Sequence, residues 1–184
     1  MPRAYIATRR TGRYERGTVP RWVGVSLSYP VANDHQLARL LQIGLVLEEV
    51  VEARAGKHYE TLPETERDEE LEGLLEGAAA ESARHRSRLE ELVAELDADP
   101  VAYDEIEELV AARYESDTDT DGVLYDQLAN EETAYKFYDD LVGAIEGSNV
   151  AFGIDRDRLL ETLRGIRAEE EEGVEEVTRL MEEP

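Results

Sequence analysis

Four stretches of this chain carry apolar residues at alternating steps of three and four, and each stripe turns polar near its middle. That spacing puts side chains on one face of a helix, the face a helical bundle buries. The fourth stripe reads Leu159, Leu163, Ile166, Glu170, Gly173, Val177, Leu180, and the second Leu71, Leu75, Ala78, Ser82, His85, Leu89, Leu92, Leu96. The first runs Ala38, Leu41, Leu45, Glu48, Glu52, Ala55, Tyr59; the third runs Leu124, Leu128, Glu131, Ala134 or Tyr135, Tyr138, Val142, Ile145. Three of the four break with a glutamate. An unpaired carboxylate inside a core protonates or recruits a cation, because losing its hydration penalises the charge. Several carboxylates meeting a histidine at one level therefore point to a metal site. Oxygen ligands with an imidazole suit iron or manganese, and zinc remains open.

The punctuation between the stripes predicts where the helices begin and end. Asn33 or Asp34 caps the first, which runs to Tyr59 or Thr61. Pro63 sits at the start of the second, which runs to Leu96 before the Asp97–Pro100 break. A short helix over 104–114 interrupts a longer connection. Asp119 or Asp121 starts the third helix, which reaches Ile145 and stops at Gly147-Ser148-Asn149; Asp155 caps the fourth, which runs to Met181. Short links within each half and a long one between the halves allow the second and third helices to lie parallel.

Charge narrows the partners. With 44 Asp plus Glu against 20 Lys plus Arg, the 184-residue chain carries −24, which opposes binding nucleic acid or an anionic membrane through the main body. Dense carboxylate with only Lys57 and Lys136 as lysines suits a high-salt cytoplasm, where self-repulsion is screened within a few Å. Residues 1–33 differ: six arginines face Glu15 alone, a net +5 that leaves −29 for the rest. This segment has six Gly or Pro and no helical period, so it reads as a basic, irregular arm ahead of a bundle domain at 34–184. It lies on an acidic surface or docks a protein partner, unless translation starts near Val25. The absence of cysteine removes disulfides, thiolate catalysis and Cys-ligated iron or zinc. No apolar run approaches a membrane span, and Arg9-Arg10 lacks the apolar stretch of an export signal, so a cytoplasmic protein is expected.

The two halves repeat. Glu52-Ala53-Arg54-Ala55-Gly56-Lys57-His58-Tyr59 and Glu131-Glu132-Thr133-Ala134-Tyr135-Lys136-Phe137-Tyr138 share Glu-x-x-Ala-x-x-x-Tyr, and Ser82…His85…Leu89…Leu92 matches Glu170…Gly173…Val177…Leu180 in spacing. On these residues the chain resembles the ferritin-like superfamily, its rubrerythrin-like branch in particular, in a version from a salt-adapted, haloarchaeal-type cell. The resemblance covers residues 34–182. It implies an all-α, ferritin-like four-helix bundle with a long crossover between helices two and three, assembled as a homo-oligomer. In that family helices one and three each give a glutamate, and helices two and four each give Glu-x-x-His, to hold two irons. Carried over residue by residue, this names Glu52, His85, Glu131 and Glu170 as metal ligands. Ser82 stands where a bridging glutamate belongs and Gly173 where a histidine belongs. Glu48, one turn before Glu52, and Glu81, beside Ser82, are substitutes; Glu169 and Glu172 flank Glu170, about 100° and about 160° away around the helix.

Each residue has a plainer reading. Glu52 and Glu131 could be paired with arginine or partly exposed, His85 could be hydrogen-bonded to a carboxylate, and Glu169–Glu172 could be a solvated run. Tyr59 and Tyr138 read as packing residues whose hydroxyls bond a core carboxylate. Two functions follow. One is a metal protein handling iron, oxygen or peroxide, a ferroxidase or peroxidase whose electrons come from a separate protein. The other is a metal-free bundle kept as a structural or interaction module. An acid–base enzyme built on paired carboxylates is a third idea that needs a pocket.

Overall fold

The structure is a computed structural model and describes residues 29–62, 64, 67, 69–96, 98–99 and 122–182. Four helices, α1 (Asp34–Thr61), α2 (Glu69–Glu95), α3 (Val123–Glu146) and α4 (Arg156–Glu182), account for most of it, with no strand among the described residues. The basic segment 1–28, the 104–114 helix, the Tyr59 side chain and the Asp119 and Asp121 caps lie outside the described residues.

Side chains set the helix ends where they can reach a backbone group. At α1 the Asn33 Oδ1 accepts from Gln36 N at 2.9 Å, while Gln36 Oε1 accepts from Ala32 N at 2.8 Å, a reciprocal cap. At α4 the Asp155 Oδ1 accepts from Arg158 N at 2.8 Å. The other two helices are described from Glu69 and Val123. α2 is described from Glu69, Pro63 itself lying outside the described residues, and the Arg67 guanidinium donates to the carbonyls of Glu60 (2.7 Å) and Leu62 (2.9 Å) at the end of α1. α3 begins at Val123, after Gly122 with φ 124°, a backbone that L side chains rarely adopt. At the far end of α3, Arg156 Nη2 donates to the carbonyls of Ile145 (2.6 Å) and Ser148 (2.9 Å), tying the α3–α4 link to the helix it follows.

Contacting residues fix the topology. Between α1 and α2, Gly44 faces Leu89 and Glu48 faces His85; between α3 and α4, Glu146 faces Arg164 and Glu131 faces Gly173. Between α1 and α3, Gly44 faces Tyr138 and Arg54 reaches Asn130; between α2 and α4, Glu95 meets Arg158 and Glu70 meets Arg179. In each pair one index rises as the other falls, so all four adjacent pairs are antiparallel. α2 and α3 therefore sit on a diagonal and run parallel.

The apolar core is concentrated at one end. Leu37, Leu41, Leu89, Leu92, Leu141, Ile145, Leu159 and Leu163 are fully buried there, and Val31 joins them, its N–H bonded to Ala144 O at 3.1 Å. Beyond Tyr138 and Ile166 the interior becomes polar. The opposite half buries a thinner set, including Val51, Ala55, Leu74, Leu75 and Val177. No helix of the described residues is long and apolar enough to cross a membrane.

Candidate metal centre

At the level where the apolar core stops, each helix turns a polar side chain inward. Glu48 from α1, His85 from α2 and Glu170 from α4 are 1%, 1% and 5% exposed, so whatever balances their charge must come from inside the protein. His85 Nδ1 lies 2.9 Å from Glu170 Oε1 and 3.4 Å from Glu48 Oε1. It is aligned for a hydrogen bond with neither, and Glu48 Oε2 also has no partner. Buried polar atoms are rarely left so. Tyr138, wholly buried on α3, donates its hydroxyl to Glu48 Oε1. This is the tyrosine-to-core-carboxylate bond anticipated from the sequence.

The other face of the imidazole meets a second pair of acids. Nε2 is 2.7 Å from Glu169 Oε2 and 3.8 Å from Glu81 Oε1, and Glu169 Oε1 accepts from Arg88 Nη1 at 2.8 Å. A proton held on Nε2 by Glu169 leaves the Nδ1 lone pair toward Glu48 and Glu170, the usual way a neighbouring carboxylate prepares a histidine to bind metal. Among the described residues, Glu48–His85–Glu170 and Glu81–His85–Glu169 each offer three ligand atoms within 4.8 Å of one another. Buried Glu, His and Glu side chains thus form a group that could hold a metal ion.

Electrostatics describe the same surplus of acid. Burial opposes the His85 charge, yet Glu170 and Glu48 outweigh it and push its pKa up to about 10. Glu170 is pushed up to about 9 by burial, with Glu48 and Glu131 adding to the rise and His85 opposing it. Burial likewise raises Glu131 and Glu81, and raises the Tyr138 phenol, which faces Glu48. Glu169 goes the other way: burial is outweighed by Arg88 and His85, and its pKa falls. The metal-free centre therefore retains protons, and a cation would take their place.

The six glutamate and histidine positions named from sequence divide. His85 and Glu170 meet, with Glu48 rather than Glu52 as the α1 member. Glu52 is a third exposed and pairs with Arg86 Nη2 at 3.0 Å, outside both groups. Glu131 is 8% exposed, accepts from Gln127 Nε2 at 2.5 Å and lies against α4. A Cβ on Gly173 would overlap the Glu131 carboxylate, with its Cδ only 2.8 Å away. Glycine at 173 thus leaves the room that Glu131 occupies. Glu81 stands at the edge, near His85 Nε2. Glu169, read from sequence as flanking, is the imidazole's closest partner, and buried Gln127 was not singled out at all. One clue was available for each: a ring has two nitrogens on opposite sides, and Gln127 lies one turn before Glu131.

Ser82 and Gly173 have a joint consequence. With no long side chain at either position, a cleft of about 170 Å³ opens between α2 and α4, and Glu131 and Glu170 line it. Comparison of the chain with protein-family models, with curated proteins and with solved structures finds no match.

Proposed function

We propose that this protein is a ferritin-like metal-binding bundle that holds one divalent metal, iron first, at Glu48, His85 and Glu170. The observation that carries the reading is the pair of buried atoms left without hydrogen-bond partners, Glu48 Oε2 and His85 Nδ1, within a Glu48–His85–Glu170 group that offers three ligand atoms within 4.8 Å of one another. The antiparallel helix pairs with parallel α2 and α3 support the ferritin-like part of the reading, and the donor set supports iron or manganese ahead of zinc.

Bound iron would supply one-electron chemistry toward oxygen or peroxide. The chain's own residues would do the rest. Glu48 and Glu170 balance the ion's charge in a site that excludes most water. Glu169, held by Arg88, fixes the His85 ring and its tautomer. Tyr138 steadies Glu48 and leaves its second oxygen free. Ser82, Gly173 and the Arg86-paired Glu52 withhold three ligands of a six-ligand, two-metal arrangement, which favours a single ion. With no cysteine in the chain, reducing electrons for a ferroxidase or peroxidase cycle come from a separate donor.

Titration of the chelator-treated full chain with Fe(II) under anaerobic conditions, followed by metal analysis and admission of air, tests this. One iron per chain is expected, lost in His85→Ala and Glu170→Ala and kept in Glu52→Ala. An optical change on air should accompany binding. A chain that takes up no metal would instead favour the metal-free module. One contact pattern supports that second reading: a protonated His85 has acids beside both nitrogens, Glu169 at 2.7 Å and Glu170 at 2.9 Å, and needs no ion.

A further inference from the structure

The centre just described is closed on most sides. Glu48 and His85 are each 1% exposed, and the apolar core seals the end beyond Tyr138 and Ile166. An ion arriving from solvent needs a path, and the cleft between α2 and α4 reaches Glu170 from outside.

Three features of the cleft select what passes. Its α2 wall includes the small residues Gly73, Gly77, Ala78 and Ser82 beside Leu74 and Glu81, with Gly173 opposite on α4; a Cβ at Gly73 or Gly77 would meet nothing within 4 Å. Its volume of about 170 Å³ is more than ten times the roughly 10–15 Å³ minimum for a single water, so a cation can keep part of its hydration shell. All its titratable lining residues are acids: exposed Glu176 outside, half-buried Glu81 next, then Glu131 and Glu170 within. Glu81 also lies 3.8 Å from His85 Nε2, so the line of acids ends on the imidazole itself. Walls of one sign with low-dielectric backing concentrate the opposite charge and repel anions.

We propose that this cleft is the port through which a partly hydrated divalent cation reaches Glu48, His85 and Glu170, with Glu176 and Glu81 as its charge filter. The proposal rests on the reading of that centre as a metal site. Small side chains at 73, 77, 82 and 173 keep the port open, and acids at 81 and 176 draw cations in and turn phosphate-like anions away.

Stopped-flow absorbance of Co(II) binding to the metal-free full chain, with dissociation measured by chelator chase, tests it. Gly77→Leu should slow association and dissociation by the same factor, about tenfold or more, because a step that needs the wall to move is added. Its Kd should stay within about twofold, since a plug raises the barrier and leaves both end states alone. Glu176→Lys should slow association severalfold at low salt, with the difference closing in concentrated potassium chloride. Ala78→Phe, on the same wall, serves if Gly77→Leu loses its helical circular dichroism. Unchanged rates in folded plugged variants would overturn the port. So would a faster dissociation alone, which would make the cleft part of the binding site. Failure of the unaltered chain to bind Co(II) at all would instead remove the metal reading from which the port follows.

Discussion

His85 and Glu170 show how one residue's surroundings decide its chemistry. Without metal their pKa values are pushed up to about 10 and about 9, from ordinary values of 6.5 and 4.5. Both folded values lie above the unfolded ones, so the folded chain binds more protons and its stability falls as pH rises. The Glu170 contribution drains between 4.5 and 9, and the His85 contribution between 6.5 and 10. The urea midpoint of the metal-free chain should accordingly drop between pH 6 and pH 10. Glu170→Gln, which imitates the protonated acid, should flatten part of that slope; an identical slope in the variant would mean that Glu170 does not carry it. His85 and Glu170 were legible in sequence because both fall on the buried stripe. Glu48 against Glu52 was not decidable there, since both lie on the same stripe one turn apart and only the inter-helix contacts select one.

At the scale of the elements, two helix starts are readable from their own side chains. Asn33 and Asp155 cap α1 and α4 through their own side chains, so the residue types suffice to find them. Removing such a cap exposes one backbone N–H, so Asp155→Ala should cost about 1 kcal/mol, read from urea unfolding with the m-value unchanged. A loss near zero would mean that Arg158 N finds another acceptor. Ahead of α2, Arg67 reaches back to the end of α1, and α3 follows Gly122, whose positive φ glycine adopts at little cost. Gly173 belongs here as well. A glycine inside a helix usually weakens it, but here it admits a glutamate from the facing helix.

For the whole molecule, charge and topology act together. A chain with −24 held in four aligned helices repels itself, and arginines such as Arg158, Arg164 and Arg167 offset this only where they bridge helices to Glu95, Glu146 and Asp139. Added salt screens the remainder over a few Å. The thermal midpoint should therefore rise steadily with potassium chloride toward molar concentrations, monitored by circular dichroism. A midpoint that is flat or falls with salt would rule out self-repulsion as the limiting term. The distribution of the core points the same way: one end is densely apolar, whereas the half that carries the cleft buries fewer apolar side chains and relies more on bridges such as Arg86–Glu52.

The sequence alone determined that the described residues form four helices with a polar layer across a buried seam, because a 3.6-residue period and the cost of burying charge are local and additive facts. Tertiary structure alone decided which acids meet. His85 has two nitrogens and several glutamates within one helical turn of reach, and only the rotation and axial register of the neighbouring helices choose Glu48 and Glu170 on one side and Glu169 on the other. The same register turns the short side chains at Ser82 and Gly173 from missing ligands into the walls of a cleft.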